Sequence, residues 1–443
     1  MRDLILAGFV FALLPFILRR PRIGALAWAW LSMMNPHKLT YGFARTLPFA
    51  QMVAAATMVG LLFTRERKPF PWNAITAVHL CFLLWMCVTS LFGLAPAQEI
   101  QDRLIFVAKI QVMLFVTLML LRDRVQIEQL IWVVTFSIAY YGIKGGFWTV
   151  TTGGGGRVWG PPGGMIEGNN ELGLALVMLT PFLYYLQQTA QNKWMRRGLV
   201  VCIVLVVFSI LGSQSRGALL ALLAMAFFLG LKGKHPVRTS LVLLAMVGLA
   251  ILFMPDSWTK RMDTISSYEQ DGSAMSRIYT WTTLWNLALD RPVVGGGFAT
   301  DNPLVFALYA PPGGVGSYTE GGIFVAHSIY FQALGEHGFP GLFLYLLLGI
   351  TTWRVAGRVA REAADDPEYA SWVPLLMRMC QVSLMGFAVG GAFLTLVHFD
   401  LPYYIVGYVV LTEASMREAR ARRALAAPPA GGLAGARALG SGP

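Results

Sequence analysis

IQVMLFVTLMLLRDRVQIEQLIWVVTFSIAYYG, residues 110–142, is the stretch whose reading decides the fold class. Two apolar runs flank a short link that carries Arg122 and Arg124. Followed outward to 101–121 and 127–150, each run approaches the roughly 20 residues with which an α-helix crosses a bilayer. The pattern recurs at about 3–18, 22–34, 47–63, 73–94, 169–188, 198–212, 216–231, 238–254, 338–355 and 374–397, with a shorter run at 402–413. Composition agrees. The 443 residues are 56% hydrophobic and only 13% charged, with a mean hydropathy of +0.57. A soluble domain carries about 25% charged residues, and half that number could not cover its surface. A disordered chain, a collagen-like one and a nucleic-acid-binding domain are excluded. The expected fold is an all-α polytopic membrane protein.

The net charge of +12 has its source in the loops. Basic clusters fall in every second gap: Arg19/Arg20/Arg22, Arg65/Arg67/Lys68, Arg122/Arg124, Lys193/Arg196/Arg197, Lys232/Lys234/Arg238, Arg354/Arg358/Arg361 and Arg417/Arg420/Arg422/Arg423. The positive-inside rule makes these gaps cytoplasmic. The outer segments are then 35–46, 95–99, 151–168, the tight turn 212–215, the long stretch 255–337, and 398–401. The expected organisation is ten helices over 1–254, a loop or lid over 255–337, and C-terminal helices over 338–413. A cytoplasmic disordered tail, rich in Pro, Gly and Ala, follows over 414–443. That makes about twelve transmembrane helices, the first two short enough to form a hairpin that does not fully cross. RRPR follows the first run without a small-residue cleavage site, so no cleavable signal is expected. Cys81, Cys87, Cys202 and Cys380 lie inside apolar stretches without metal-ligand spacing and read as lipid-buried small residues, not disulfides or ligands.

Chemistry should gather on the outer face. Loops much longer than about 15 residues are uncommon unless functional or disordered, and 255–337 is aromatic-rich throughout. Its segment AMSRIYTWTTLWNLALD reads as an amphipathic helix, with Ser276 a candidate N-cap and Ile278, Trp281, Leu284 and Trp285 on one face. Cations are few here and therefore informative. Arg216, in GSQSRGALL, opens an apolar helix, where a charge is costly unless it pairs or meets water and where the helix dipole disfavours a cation. Snorkelling to the interface is the plain explanation. A bound anion would offset both costs, and the guanidinium fork suits phosphate. Arg277 stands similarly near the start of the loop helix, with Asp271 or Asp263 as alternative salt-bridge partners. Arg157, Arg261 and Arg291 are weaker candidates for the same anion. His327 and His337 lie in VAHSIYFQALGEHGFPG, where the long loop returns to the membrane. A neutral imidazole beside an anion site is a candidate general base. The chain shows no Asp-x-Asp, His-Glu-x-x-His, P-loop or Gly-x-Ser-x-Gly signature, so neither a tightly held metal nor a nucleotide cofactor is expected.

HSIYFQALGEHGFPG resembles the O-antigen ligase superfamily, which carries His, then Asn, Ser or Gln, nine residues, and Gly-x-x-Gly at the end of a large periplasmic loop. Here the match is His327, Ser328, nine residues, Gly338 and Gly341. Ser215-Arg216-Gly217, Ser276-Arg277 and Gly295-Gly296-Gly297 match further family positions, so the likeness spans about 165–345. NPHKLTYGFART additionally resembles the exosortase-associated O-glycosylation ligase branch. The resemblance implies a GT-C-like glycosyltransferase architecture in the bacterial inner membrane with its active site facing the periplasm. It implies transfer of a glycan from undecaprenyl pyrophosphate to a lipid A-core hydroxyl, inverting and independent of metal. Arg216 and Arg277 would bind the diphosphate and His327 would be the base, with His337 a lesser substrate contact. An O-antigen polymerase or a protein O-oligosaccharyltransferase would share these motifs and differ in acceptor. A lipid-linked glycan transporter is the rival from another class, kept alive by Lys109, Lys144 and Arg378 inside apolar runs.

Overall fold

The computed structural model describes residues 1–232, 237–238, 241, 244–245, 248, 252, 272–315 and 322–426. Among these residues the chain is helical, without a β-strand. The helices are α1 (Arg2–Arg19), α2 (Pro21–Met34), α3 (Phe49–Phe63), α4 (Ala74–Ser90), α5 (Ala97–Leu120), α6 (Arg124–Thr151) and α7 (Asn169–Thr189). They continue as α8 (Lys193–Gly212), α9 (Arg216–Lys232), α10 (Gly272–Asp290), α11 (Pro303–Tyr309), α12 (Ile329–Ala364), α13 (Val373–Gly390) and α14 (Asp400–Ala426). Among the described residues α5, α6, α8, α12 and α13 are long and apolar enough to cross a membrane; α3, α4 and α9 are shorter apolar helices. Large apolar side chains such as Leu62, Phe63, Phe227 and Phe343 stand exposed on the bundle surface. A soluble protein avoids contiguous exposure of this kind, whereas hydrocarbon welcomes it. The protein is a multi-pass membrane protein.

Two helices form the axis. α7 is buried on nearly every face from Leu172 to Leu183, and α14 is buried continuously from Asp400 to Met416. A helix that is apolar all round belongs inside a bundle. Around them α8 lies along α6 and α7, α13 packs against α7, α9 and α12, and α12 lies against α4 and α10. α1, α2 and α3 form a satellite with its own core of Leu6, Val10, Trp28, Phe49 and Val53.

The basic gaps meet at one end of this bundle. Arg122 pairs with Glu418 at 3.0 Å and donates to the Pro69 carbonyl at 2.9 Å. Arg358 pairs with Glu413 at 2.6 Å, and Asn73 donates to the other oxygen of that carboxylate. Arg420 pairs with Glu362, and Arg423 with Asp366. These bonds revise the expected tail: residues 414–426 continue α14 as helix, because their arginines find carboxylates on and just beyond α12. Residues 427–443, and most of the run 238–254, lie outside the described residues.

The returning loop also ends earlier than the hydropathy reading placed it. α12 begins at Ile329 instead of 338 and is broken once, at Gly338 with φ 67° and ψ −172°. A side chain there would run into the Pro292 and Val293 carbonyls, and the adjacent Phe339 N–H donates to Pro292 at 2.9 Å. Glycine alone tolerates that backbone and that approach.

α6 and α8 touch at Gly146, where an added Cβ would strike the Leu205 carbonyl, a backbone atom that cannot rotate away. Gly146→Ala should therefore destabilise the protein by about 1–3 kcal/mol. Gly198→Ala on α8, which meets nothing within 4 Å, should be neutral or stabilising by up to about 1 kcal/mol through helix propensity. Thermal unfolding in detergent compares the two, and equal midpoints would contradict the packing.

Candidate active site

Five segments come together at the end of the bundle away from the arginine network. One is the α8–α9 turn. Asn169, at the start of α7, donates its amide to the Ser213 carbonyl at 2.7 Å. Ser215 caps α9 by accepting from the Ala218 N–H at 3.2 Å, which leaves Arg216 as the first residue of the helix. Gln214 adopts a left-handed backbone, φ 55°, and donates to the Gly154 carbonyl, while the Val158 N–H donates to Gly212. The glycine loop is thereby tied to this turn, with Arg157 exposed beside it.

His327 is held from three directions. Its own backbone is left-handed, φ 45°, which is uncommon for any residue other than glycine. Its N–H donates to Thr395 Oγ1 at 2.8 Å. The preceding Ala326 carbonyl accepts from Trp281 Nε1 at 2.8 Å, and the Trp281 ring stacks on Phe331, 5.2 Å between centroids and 8° between planes. Ser328 then caps α12. Burial, and after it the positive charge of Arg277, push the His327 imidazole down to about 4, so at neutral pH it is an uncharged acceptor. The Arg277 charge also reaches Glu171 in the first turn of α7. Gly217, next to Arg216, packs on Phe393, two residues before the Thr395 that holds His327. The structure therefore gathers Arg277, His327 and Glu171 in one electrostatic neighbourhood and sets the Arg216 turn beside the same 391–395 segment.

Other sequence candidates lie elsewhere. His337 is fully buried inside α12, and its Nδ1 lies 2.8 Å from Thr89 Oγ1 of α4. The helix is unbroken from Ile329 to His337, since its break falls at Gly338 and not at Gly335, so the two histidines face different surroundings. Arg291 donates to the Phe92 carbonyl and ties α10 to the α4–α5 turn. Arg261, Asp263 and Asp271 lie outside the described residues. Ser276 does not cap α10, which starts at Gly272; its hydroxyl donates to Ser273 inside the first turn. The buried face of α10 is Met275, Tyr279, Thr283, Leu284 and Leu287, with Trp285 exposed. Leu284 lies against Gly335 of α12, Trp281 stacks on Phe331 and Trp285 meets Phe339 edge-on, so the expected apolar face does turn toward α12.

Thr395, Glu171 and Trp281 escaped the sequence reading as site residues. No local spacing marks Thr395, because it is 68 residues from the backbone that it holds. Glu171 carried a weak signal, a lone carboxylate in the first turn after the glycine loop.

Residues 201–346 match the family described as O-antigen ligase, and residues 1–191 match a family of unknown function, DUF5935. No curated protein matches the chain. The first match contains Arg216, Arg277, His327 and the Gly-x-x-Gly pair, so the likeness to the O-antigen ligase superfamily holds over the segment that carries its motifs.

The left-handed backbone at residue 327 has a measurable consequence. A side chain in that region costs about 1–2 kcal/mol per residue that glycine does not incur. His327→Gly should unfold at a higher temperature than His327→Ala, by about 1 kcal/mol after the added freedom of the unfolded glycine is subtracted. A less stable Gly variant would mean that the backbone there is not left-handed.

Proposed function

We propose that this protein transfers a glycan from undecaprenyl pyrophosphate to a hydroxyl of lipid A-core, with inversion and without a metal at the diphosphate. The reaction would take place at the periplasmic face of a bacterial inner membrane crossed by about twelve helices. Membership of the family region supports a ligase or polymerase-type activity on a lipid-linked glycan and an acceptor. The observation that carries the finer reading is the neighbourhood of Arg277 and His327. A cation that disfavours protonation of a half-buried imidazole stands where a diphosphate would turn the same cation into a ligand.

In this reading Arg216 and Arg277 hold the diphosphate through paired N–H donors. The acceptor oxygen attacks the anomeric carbon, the bond from that carbon to the phosphate oxygen breaks, and the diphosphate leaves with the electron pair. His327 takes the hydroxyl proton. The arginines stabilise charge that grows on the leaving group, where preorganised donors lower a barrier most. An apolar cavity of about 280 Å³ between α12, α13 and α14, lined by Ile329, Tyr330, Tyr345, Phe387 and Val406, begins two residues from His327. It offers hydrocarbon-compatible surface for the donor's lipid. His327 is a poor base while burial and the Arg277 charge act on it. Bound diphosphate would offset that charge and raise the imidazole toward its ordinary value of about 6.5. The base would then be armed by the donor.

The free protein should therefore show an acid limb near pH 4 in kcat/KM, whereas the limb in kcat should lie at higher pH, because the two report free and donor-bound states. Removing the cation in Arg277→Gln should move the kcat/KM limb upward. Coincident limbs that this substitution leaves unmoved would refute the arming.

Arg216→Lys and Arg277→Lys keep charge but lose the planar fork, and each should lower turnover at least about tenfold with insertion intact. His327→Ala should abolish it while donor lipid still binds, and His337→Ala should be milder. Purified protein given donor and lipid A-core, without nucleotide and in EDTA, should yield the joined product. Product only with a growing glycan or a protein acceptor would make it a polymerase or a protein oligosaccharyltransferase, and donor movement without product would make it a transporter.

A further inference from the structure

We infer that Glu336, His337 and His398 form a buried binding site for a divalent transition-metal ion, with zinc the best match, which staples α12 to the segment preceding α14. The inference does not rest on the proposed function. Each of the three residues offers one ligand atom, and those atoms lie within 4.8 Å of one another. Glu336 Oε2 is 2.9 Å from His398 Nε2 and 3.7 Å from His337 Nε2. Two imidazoles and a carboxylate are a zinc donor set. Bonds of about 2.0–2.1 Å at tetrahedral angles separate neighbouring donors by about 3.3 Å, a value that the two observed distances bracket.

The orientation of His337 supplies the independent argument. Thr89 Oγ1, 2.8 Å from His337 Nδ1, donates its one proton to the Met86 carbonyl at 3.1 Å. With the Thr89 proton on Met86, His337 Nδ1 carries the hydrogen and donates it to Thr89, which leaves Nε2 a bare lone pair. That atom is fully buried, has no hydrogen-bond partner, and faces a carboxylate oxygen at 3.7 Å. The Glu336 oxygen already meets His398 Nε2 at 2.9 Å, so the His337 Nε2 lone pair is the unsatisfied atom, and a cation among the three would satisfy it. Even the opposite tautomer would leave an N–H···O gap too long for a hydrogen bond. A hydrogen bond that fixes the far nitrogen of a liganding histidine is the usual companion of a metal site.

The surroundings suit a dication. The Gln332 amide donates to the Glu336 carboxylate at 3.3 Å and its oxygen accepts from the Val397 N–H at 3.1 Å, so the carboxylate and the His398 segment are held in register. Phe298 presents its ring to both histidines, with centroids 5.0 and 5.2 Å away. Thr395, which holds the His327 backbone, belongs to the segment that the metal would anchor. Ligands 62 residues apart leave no linear signature in the sequence.

The full-length protein, expressed in zinc-supplemented medium, purified in detergent and dialysed against EDTA, should retain about one zinc per chain by elemental analysis. His337→Ala and His398→Ala should retain less than a tenth of that. Thr89→Val is the second arm, which separates loss of metal from loss of folding. It keeps shape, touches no ligand atom, and should weaken zinc retention about 10–100-fold in chelator competition. X-ray absorption at the zinc edge should show nitrogen and oxygen donors at about 2.0–2.1 Å. Wild-type protein without stoichiometric metal, or equal metal in wild type, Thr89→Val and His398→Ala, would overturn the site and leave a proton as the cation between Glu336 and His337.

Discussion

Hydrocarbon offers a peptide group no water to bond with, and that single constraint organises the molecule. Every backbone N–H and C=O at membrane depth must be satisfied within the chain, and helices do this locally. Charges cannot be spread through such a bundle and collect at its ends. At one end the arginines of three basic clusters find Glu362, Asp366, Glu413 and Glu418. At the other, Arg216 opens α9 and Arg277 sits beside His327 and Glu171. The first end closes on itself. The second combines a neutral imidazole with cations at a helix mouth, and so it is the end suited to an anionic substrate.

The returning segment shows how one motif serves two purposes. His327 precedes α12 and is fixed by a tryptophan, a threonine and a strained backbone, which keeps its ring at the rim. Ten residues on, His337 is carried by an unbroken helix into a dry pocket against α4. Gly338 then lets the chain bend where the Pro292–Val293 turn presses on it. The Gly-x-x-Gly pattern is in this light a packing requirement, since the bend lets the Gly295–Gly297 turn bond to the Gly335 and Glu336 carbonyls.

Much of the architecture was legible in the residues because it depends on local chemistry. Apolar run length foretold α5, α6 and α8, and three of the basic clusters, around Arg122, Arg358 and Arg420, do meet at one end. The tight turn before Arg216 was visible in GSQSRG, where serines and glycine stop one helix and cap the next. Readings failed where partners were distant. The tail read as disordered on its Pro, Gly and Ala content, yet the carboxylates at and beyond the end of α12 hold its arginines and make it helix as far as Ala426.

By itself the sequence determined that this protein is a helical bundle for a membrane, that its polar groups gather at two ends, and that His327, Arg216 and Arg277 carry a ligase-like pattern. These are consequences of residue type and short-range spacing, on which solvation and helix geometry act directly. Only the tertiary structure decided that the Arg277 charge acts on His327, that Thr395 pins it, and that Glu336, His337 and His398 converge. Those relations join residues tens of positions apart, and the packing that creates them follows from how whole helices fill space, which no short window of residues encodes.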